Sequence, residues 1–409
     1  MKQEQILRTS ILSIGENKGS ERLWLENKIL DIAAFKIGVP IRITYTRHCI
    51  RIIPDVKGDH KVSKKRNVPI IDINNKQIGQ VFDLCKKVQV IVKVGEIIIR
   101  RTYTDNRIAQ RLHDPSCAGI FTGGGGFEQA AKQAGYVTKW GIEMNEKYAD
   151  VWQANHKGTM HNCNIADVDF DLLEPVSLLI AGIPCEPFSI ARRNGNGDDF
   201  HMTEHATMLF LMAMRRANPL TMILEEVPAY LDSQIGKALI ETIKQSGYNI
   251  AYKILKGTDF GELMVRKRVV IIATTPPQEP KFPIENPIPR TMGEILLSPD
   301  DPRCEWFHID EKQWLKNHWA EQTAKGNNFV SQKITADSTS IGAITRRYFA
   351  QQGSNPIVAH PTKPDVYRWL TIVEVKRLMG LPDDYDLGET KTLAGEVMGQ
   401  GVLVKVFQR

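Results

Sequence analysis

The 409-residue sequence has no uninterrupted apolar run of the ~18 residues that a membrane-spanning helix needs. Its first residues, MKQEQILRTS, lack the basic start and the apolar stretch of a secretory signal. The six cysteines form no CxxC pair and no His-rich spacing accompanies them, so neither a zinc site nor a disulfide framework is predicted. We therefore expect a cytoplasmic protein that uses no metal and no membrane.

Charge is plentiful but unevenly placed. Residues 1–110 contain 21 Lys and Arg against 11 Asp and Glu, whereas the rest of the chain contains 32 against 36. This distribution predicts a basic N-terminal module that could meet a polyanion, although a solvated lysine-rich surface is an open alternative. The hydrophobic fraction of 42% is ordinary for a globular chain, and the length indicates more than one domain.

Hydrophobic patterns divide the chain into four parts. Residues 1–110 alternate β-branched runs with polar turns, which predicts a β-rich domain. Within it, RLWLENKILDIAAFKIG favours one amphipathic helix, and KGDHKVSKKRN favours a basic loop. Residues 111–275 alternate strands and helices, so an α/β fold with a doubly wound, Rossmann-like parallel sheet is predicted. Residues 276–345 begin with a proline-rich run and are interpreted as an inserted lobe, after which residues 346–409 return to the sheet. In that last part, RWLTIVEVKRLMGLPDDY favours a helix that is ended by Gly380 and Pro382.

A glycine-rich run follows the first strand of that sheet. Glycines from Gly123 to Gly126 allow a sharp turn and a close approach of the backbone to a ligand. The next strand ends in Glu143, whose carboxylate could accept hydrogen bonds from ribose hydroxyls. The pattern indicates a cofactor that contains a nucleoside. A nicotinamide fingerprint would have a third glycine where Glu128 stands.

Reactive side chains lie at the ends of later strands. Cys185 follows Pro184 after VSLLIAGI, and Glu225 lies near the end of LTMILEEV. Arg268 begins RVVIIATT, and Arg266 lies two residues before it. Ligands of such sheets bind beyond the carboxyl ends of strands, so these groups are predicted to share one cleft. A thiolate, an acid and a guanidinium suit covalent attack on an electron-poor ring. A lone cysteine is more often an inert buried residue, but this one follows a proline at the carboxyl end of a strand, in the crevice where ligands bind, which favours a reactive thiolate.

Six motifs together resemble the DNA (cytosine-5)-methyltransferase family over residues 113–408. They are GIFTGGGGF, GIPCEPFS, EEV, MVRKR, RWLTIVEVKRLMGLPDDY and GEVMGQGVLVKV, in the family order. The resemblance implies S-adenosylmethionine as cofactor, double-stranded DNA as substrate, and the 276–345 lobe as the target-recognition lobe. It also implies a monomer and a place in restriction-modification.

The resemblance further implies a mechanism. Cys185 would add to cytosine carbon-6, Glu225 would hold N3 and the exocyclic amine, and Arg268 would bind O2, while Arg266 would organise the site. Carbon-5 would then attack the donated methyl group, and loss of its proton would release the enzyme. In duplex DNA the target base must first be flipped out of the helix. The implied cofactor-binding positions are Phe121, Gly123, Gly125, Glu143, Asn164, Pro184 and Gln400, and Ser189 is an implied DNA contact.

Five positions depart from the family pattern. They are Asn164, where Asp is usual, Glu186 and Met264, where Gln is usual, and Glu226 and Gln400, where Asn is usual. None of these departures removes the nucleophile, the acid or the arginine, so we predict an active enzyme. Cofactor affinity, base flipping and donor preference are the properties that they put in question.

Alternatives from other classes remain at this stage. A catalytically inactive DNA-binding protein on the same scaffold would have no reason to keep Cys185, Glu225 and Arg268. A tRNA cytosine-5 methyltransferase has a similar motif layout, but the basic N-terminal module and the separate lobe favour DNA. A nicotinamide dehydrogenase lacks support because no placed acid for hydride transfer is evident. The N-terminal residues predicted to bind DNA are Lys57, Lys61, Lys64, Lys65 and Arg66.

Overall fold

The computed structural model describes most of the chain. For residues 197–202 it describes only the backbone. The described ranges are 6–26, 28–46, 49–82, 87–102, 114–184, 197–275, 278–285, 289–327 and 329–408. Cys185, Glu186 and Ser189 therefore lie outside the described residues.

The N-terminal domain is built from two antiparallel sheets around one apolar core. One sheet has the strand order β1-β9-β10-β5-β4-β6 and the other the order β2-β3-β8-β7. Leu23, Ile41, Ile52, Phe82 and Val90 are among the fully buried core side chains. The elements are β1 (Arg8–Ser13), β2 (Gly15–Asn17), β3 (Ser20–Glu26), α1 (Lys28–Ile32), β4 (Pro40–Tyr45), β5 (Cys49–Pro54), β6 (His60–Lys61), β7 (Ser63–Lys65), β8 (Val68–Asn74), α2 (Lys76–Phe82), β9 (Lys87–Lys93) and β10 (Glu96–Arg101).

Two local predictions in this domain are wrong. The helix predicted from residue 22 to 38 begins only at Lys28, because the preceding residues form β3 and pair with β8. In β3, Leu23 and Leu25 face the core, whereas Arg22 and Trp24 lie on the other face, which is the alternation of a strand. The predicted basic loop contains β6 and β7, which pair with β4 and β8 respectively.

The predicted α/β fold is confirmed by a central sheet with the strand order β13-β12-β11-β14-β15-β18-β16. Its strands pair in parallel except β18, which is antiparallel to both neighbours. Leu179 and Leu178, adjacent in β14, belong to separate apolar clusters, so both faces of the sheet are covered. The elements are β11 (Ser116–Ile120), α3 (Gly126–Gln133), β12 (Val137–Ile142), α4 (Glu146–Asn155), β13 (Thr159–His161), β14 (Leu178–Gly182), α5 (Gly197–Ala217), β15 (Thr221–Glu226), α6 (Gln234–Gln245), β16 (Asn249–Lys256), β17 (Met264–Val265) and β18 (Lys267–Thr274).

The small lobe extends beyond the boundary predicted at residue 345. Its sheet has the order β19-β23-β22-β20, so two strands from the predicted C-terminal segment complete it. The chain then returns to the central sheet through α8, which ends, as predicted, at Gly380 with a φ of +78°. The elements are β19 (Phe307–His308), α7 (Gln313–Ala324), β20 (Lys333–Ile334), β21 (Ile341–Gly342), β22 (Ile357–Ala359), β23 (Val366–Arg368), α8 (Ile372–Met379), α9 (Lys391–Gln400) and α10 (Val404–Phe407).

A buried ion pair fixes this return. Arg368 Nη1 and Nη2 each lie 2.7 Å from a carboxylate oxygen of Glu374, and the two side chains are 1% and 0% exposed. The same carboxylate accepts hydrogen bonds from the backbone N–H groups of Leu297 and Thr371. One side chain thus joins the lobe strand β23, the start of α8 and the segment before the lobe sheet.

Replacing Glu374 by alanine is expected to lower the free energy of unfolding by about 3–5 kcal/mol, because Arg368 would stay buried without its counter-charge. Denaturant unfolding measures this loss. The control is Glu305→Ala, which breaks an ion pair with Lys391 whose side chains are 72% and 64% exposed. Equal stability of the two variants would show that the buried pair does not hold the lobe.

Candidate active site

A cleft of about 1200 Å³ opens at the carboxyl ends of β11, β12, β14 and β15. The cleft unites side chains from the glycine loop, the strand ends and the closing helix α9. Gly125 is not among its lining residues. The predicted site residues that line it are Phe121, Gly123, Glu143, Asn164, Pro184, Glu225, Arg266, Arg268 and Gln400.

Glu143 binds the glycine loop directly. The Gly123 N–H donates to its Oε2 at 2.8 Å, and the Asn145 N–H donates to its Oε1 at 2.9 Å. Burial raises the pKa of Glu143, and these backbone donors oppose that shift. Each carboxylate oxygen can accept more than one hydrogen bond, so acceptor capacity remains for a ligand in the cleft.

Two residues that the sequence prediction missed support the loop from behind. The Tyr385 hydroxyl donates to the Gly124 carbonyl at 2.6 Å, and His156 Nε2 lies 3.0 Å from the Gly125 carbonyl. Burial lowers the pKa of His156 to about 4, so its ring is neutral at pH 7. A Cβ on Gly125 would lie 2.4 Å from that nitrogen, so this glycine is needed for packing. Tyr385 ends the LPDDY run, whereas no sequence motif marks His156.

Glu128 is a fully buried carboxyl group on the first turn after the glycine loop. Among the described residues, neither of its oxygens has a partner with hydrogen-bond geometry. Burial raises its pKa to about 8, and the smaller opposing influences include its own backbone amide and the Trp152 side chain. Glu128 is therefore mostly protonated at pH 7.

Replacing Glu128 by glutamine is expected to remove a pH-dependent loss of stability. A carboxyl pKa that is raised by folding contributes stability below the unfolded value of 4.5, and this contribution is lost as the pH rises through about 8. The melting temperature of Glu128→Gln should therefore rise relative to wild type between pH 5 and pH 8. A melting-temperature difference that does not change with pH would contradict the assignment.

Glu225 and Arg268 form the second part of the site. Glu225 is the penultimate residue of β15, lies beside Gly182 of β14 and is 8% exposed. Arg268 on the adjacent strand β18 places its Nε 2.6 Å from Glu225 Oε1. The predicted acid and guanidinium are thus in contact, and both also line a small cavity that adjoins the cleft wall. A polar ring that reached one of them would meet the other.

Arg266 contacts the closing motif. It is 6% exposed, and its Nη1 and Nη2 donate to the backbone carbonyls of Gly399 and Gln400 at 3.1 and 3.4 Å. Gln400 in turn donates from its side-chain amide to the Tyr148 hydroxyl at 2.9 Å. Arg266 therefore joins the arginine motif to the end of α9.

The remaining predicted positions have simple local roles. Asn164 caps a short 3₁₀ turn by accepting from the Ala166 N–H at 3.0 Å, and its side chain is exposed at the cleft. The Pro184 carbonyl accepts from Thr203 Oγ1 of α5 at 3.0 Å. Of the unusual residues, Met264 is fully buried in the apolar core, and Glu226 is 1% exposed and accepts from the Val227 N–H.

Other kinds of site are not found in the described part of the chain. No group of three or more His, Cys, Asp or Glu side chains there could hold a metal ion. Among the described helices, none combines the length and the apolar character that a bilayer crossing requires.

Comparison with known proteins matches the C-5 cytosine-specific DNA methylase model to residues 116–409. The type II methyltransferase M.NlaX of Neisseria lactamica is 27% identical over 69% of this chain and 89% of its own length. M.MspI of Moraxella sp is 25% identical over 85% of this chain and 82% of its own length. The S. pombe Dnmt2 methyltransferase structure shares the fold, with a TM-score of 0.58 and 19% identity over 72% of this chain and 96% of that one. The chain belongs to the family of C-5 cytosine-specific DNA methylases and is a DNA cytosine-5 methyltransferase.

Proposed function

We propose that this enzyme, as a monomer, transfers a methyl group from S-adenosylmethionine to a cytosine that is flipped out of duplex DNA, through a covalent adduct with Cys185. One observation carries the proposal: the glycine loop with Glu143 and the Glu225–Arg268 pair line the same cleft. Pro184, which precedes Cys185 in the sequence, lines it too. All of these groups come from one chain, so a single copy can supply the whole site.

We call the part of the cleft at the glycine loop and Glu143 the donor half. This part suits a nucleoside. Glu143 retains acceptor capacity for ribose hydroxyls, and a Cβ on Gly123 would meet open space, so the loop is accessible from the cleft. Phe121 and Asn164 lie beside it for the adenine, and Gln400 lies on α9 for the amino-acid end. S-adenosylmethionine, when bound, supplies an electrophilic methyl group on a sulfonium.

We call the part of the cleft at Glu225 and Arg268 the base half. Together with Cys185, it supplies the activation that cytosine needs. The Cys185 thiolate forms a bond to carbon-6, and the electron pair of the 5,6 double bond becomes available at carbon-5. Glu225 holds N3 and the exocyclic amine and favours protonation of N3 as the adduct forms, and the Arg268 guanidinium holds O2, so the negative charge that thiolate addition brings to the ring is offset. After methyl transfer, carbon-5 loses its proton and the bond between carbon-6 and sulfur breaks.

The pocket that contains Glu225 is buried, so the target base must be flipped out of the duplex to reach it. Glu225 is only 8% exposed, so a base that stays stacked in a duplex cannot reach it. Extrusion of the base costs ~ a few kcal/mol, which contacts with the DNA backbone must offset. We propose that the lobe from about residue 289 to Arg368 contributes such contacts and reads the target sequence.

Sequencing of modified cytosines in DNA from cells that express the enzyme tests the proposal. We expect 5-methylcytosine in one sequence context, and none in cells that express Cys185→Ser. Absence of 5-methylcytosine with folded wild-type enzyme would overturn the proposal.

A further inference from the structure

The N-terminal domain carries a cluster of exposed cations for which the described part of the chain supplies no acidic partner. We define the basic hairpin as β6, β7, the turn at Arg66–Asn67 and the first residue of β8, Val68. In the same domain Arg22, Arg42 and Arg51 are each ion-paired. No acidic partner in the described residues pairs with Lys57, which precedes the hairpin, or with Lys61, Lys64, Lys65 and Arg66 within it.

The tip of the hairpin holds a strained arginine. Lys65 pairs with Val68, so Arg66 and Asn67 form a two-residue turn with φ values of +49° and +62°. Such turns favour glycine, asparagine or aspartate, and a left-handed conformation costs other residues roughly 1–2 kcal/mol. The turn places a long cationic side chain, which is exposed, at the end of the β7–β8 pair.

An aromatic ring contacts the hairpin beside its tip. Lys65 Nζ lies 4.8 Å from the ring centroid of Trp24, and the Arg22 guanidinium lies 4.5 Å from it. Trp24 is half-buried on the outward face of β3. These cation–π contacts limit the motion of Lys65 without neutralising its charge. The hairpin therefore presents exposed positive charge to solvent, and the charge of Lys65 is held in place by the ring.

The domain joins the central sheet at the end opposite the cleft. Lys87 hydrogen-bonds Asn249, which opens β16, and Thr102 packs closely against Gly247. Asn249 is level with Thr221 at the start of β15, since both pair with Thr274. Glu225 stands four residues further along β15, about 13 Å away. This attachment point is therefore separate from the base pocket.

We infer that the basic hairpin binds the phosphates of duplex DNA outside the target site, without reading sequence. The inference rests on the proposed function in one respect, namely that duplex DNA is the partner. Cations without acidic partners complement the phosphate backbone, and such contacts position a protein without specifying bases. The enzyme would thus hold DNA at two places, the cleft and the hairpin, and the second contact would require DNA longer than the target.

The test compares a four-alanine variant, at Lys61, Lys64, Lys65 and Arg66, with wild type. Binding of target and non-target duplexes of about 14 and 40 base pairs is titrated at several salt concentrations. We expect the variant to lose roughly tenfold or more in affinity for the long duplexes of either sequence, and its log–log salt slope to flatten by up to ~3.6, at ~0.9 per phosphate contact. Its affinity for the short target should change little.

Two controls separate charge from folding. Alanines at Lys132, Lys139, Lys237 and Lys244, exposed residues of the catalytic domain outside the cleft lining, remove the same charge and should leave the length dependence intact. Exchanging lysine for arginine and arginine for lysine in the hairpin should preserve binding. An unchanged affinity and slope in the four-alanine variant would overturn the inference, and so would a changed target sequence. Failure of the proposed function would instead abolish methylation and leave the hairpin's binding contribution intact.

Discussion

Replacing Cys185 by serine is expected to abolish methyl transfer and to leave DNA binding intact. The hydroxyl keeps the size of the side chain but is far less ionised and less nucleophilic than the thiol, so carbon-6 is not attacked. Loss of a catalytic nucleophile typically costs on the order of 10⁴- to 10⁶-fold in turnover. Transfer of labelled methyl groups to duplex DNA measures the activity, and titration of the duplex measures binding.

Other cysteines make this test specific. Cys304 lies in the small lobe, outside the cleft lining, so Cys304→Ser should keep its activity. Cys163 lines the cleft, but burial raises the pKa of its thiol, which makes it a poorer source of thiolate at pH 7. If Cys163→Ser abolished transfer and Cys185→Ser did not, the nucleophile would be wrongly assigned.

Replacing Glu225 by glutamine is expected to reduce turnover by about 10²- to 10⁴-fold, the usual contribution of a positioned acid or base. The amide can still hydrogen-bond the ring, but it cannot supply a proton readily. Affinity for S-adenosylmethionine should be unchanged, because Glu225 belongs to the base half of the cleft. Single-turnover rates and cofactor titration separate the two effects.

Arg268 provides the matched comparison. It contacts Glu225 at 2.6 Å, so Arg268→Ala should also reduce turnover, while Arg268→Lys keeps the charge but loses the planar donor geometry. We expect the lysine variant to recover part of the activity. If either Glu225→Gln or Arg268→Ala chiefly weakened cofactor binding, these residues would belong to the donor half.

Sequence patterns predicted the strands and helices whose hydrophobic periodicity matches the way they are buried in the fold. The strands of the central sheet were recognisable from their apolar runs, and α8 from its amphipathic repeat and the glycine that ends it. The segment around Trp24 was mistaken for part of a helix because Leu25 and Ile29 are four residues apart and Leu23 and Leu30 are seven apart, which are both helical spacings. Pairing with β8, a contact between residues far apart in sequence, selects the strand.

The same reason limits what could be predicted of the site. The glycine loop, Glu143, Glu225 and Arg268 lie in local motifs, and each lines the cleft. The hydrogen bonds of Tyr385 and His156 to the loop join residues far apart in sequence, so no spacing indicates them. The lobe boundary likewise depends on β22 and β23 pairing with earlier strands.

The central claim is that Cys185 forms a covalent bond to the target cytosine, and trapping tests it most directly. Wild-type enzyme is incubated with S-adenosylmethionine and a duplex that carries 5-fluorocytosine at the target. Carbon-5 then has no proton to lose after methyl transfer, so the bond between carbon-6 and sulfur should persist. We predict a denaturation-resistant complex whose cross-linked peptide contains Cys185, and none with Cys185→Ser. An enzyme that methylates the normal duplex but forms no such complex would contradict the account.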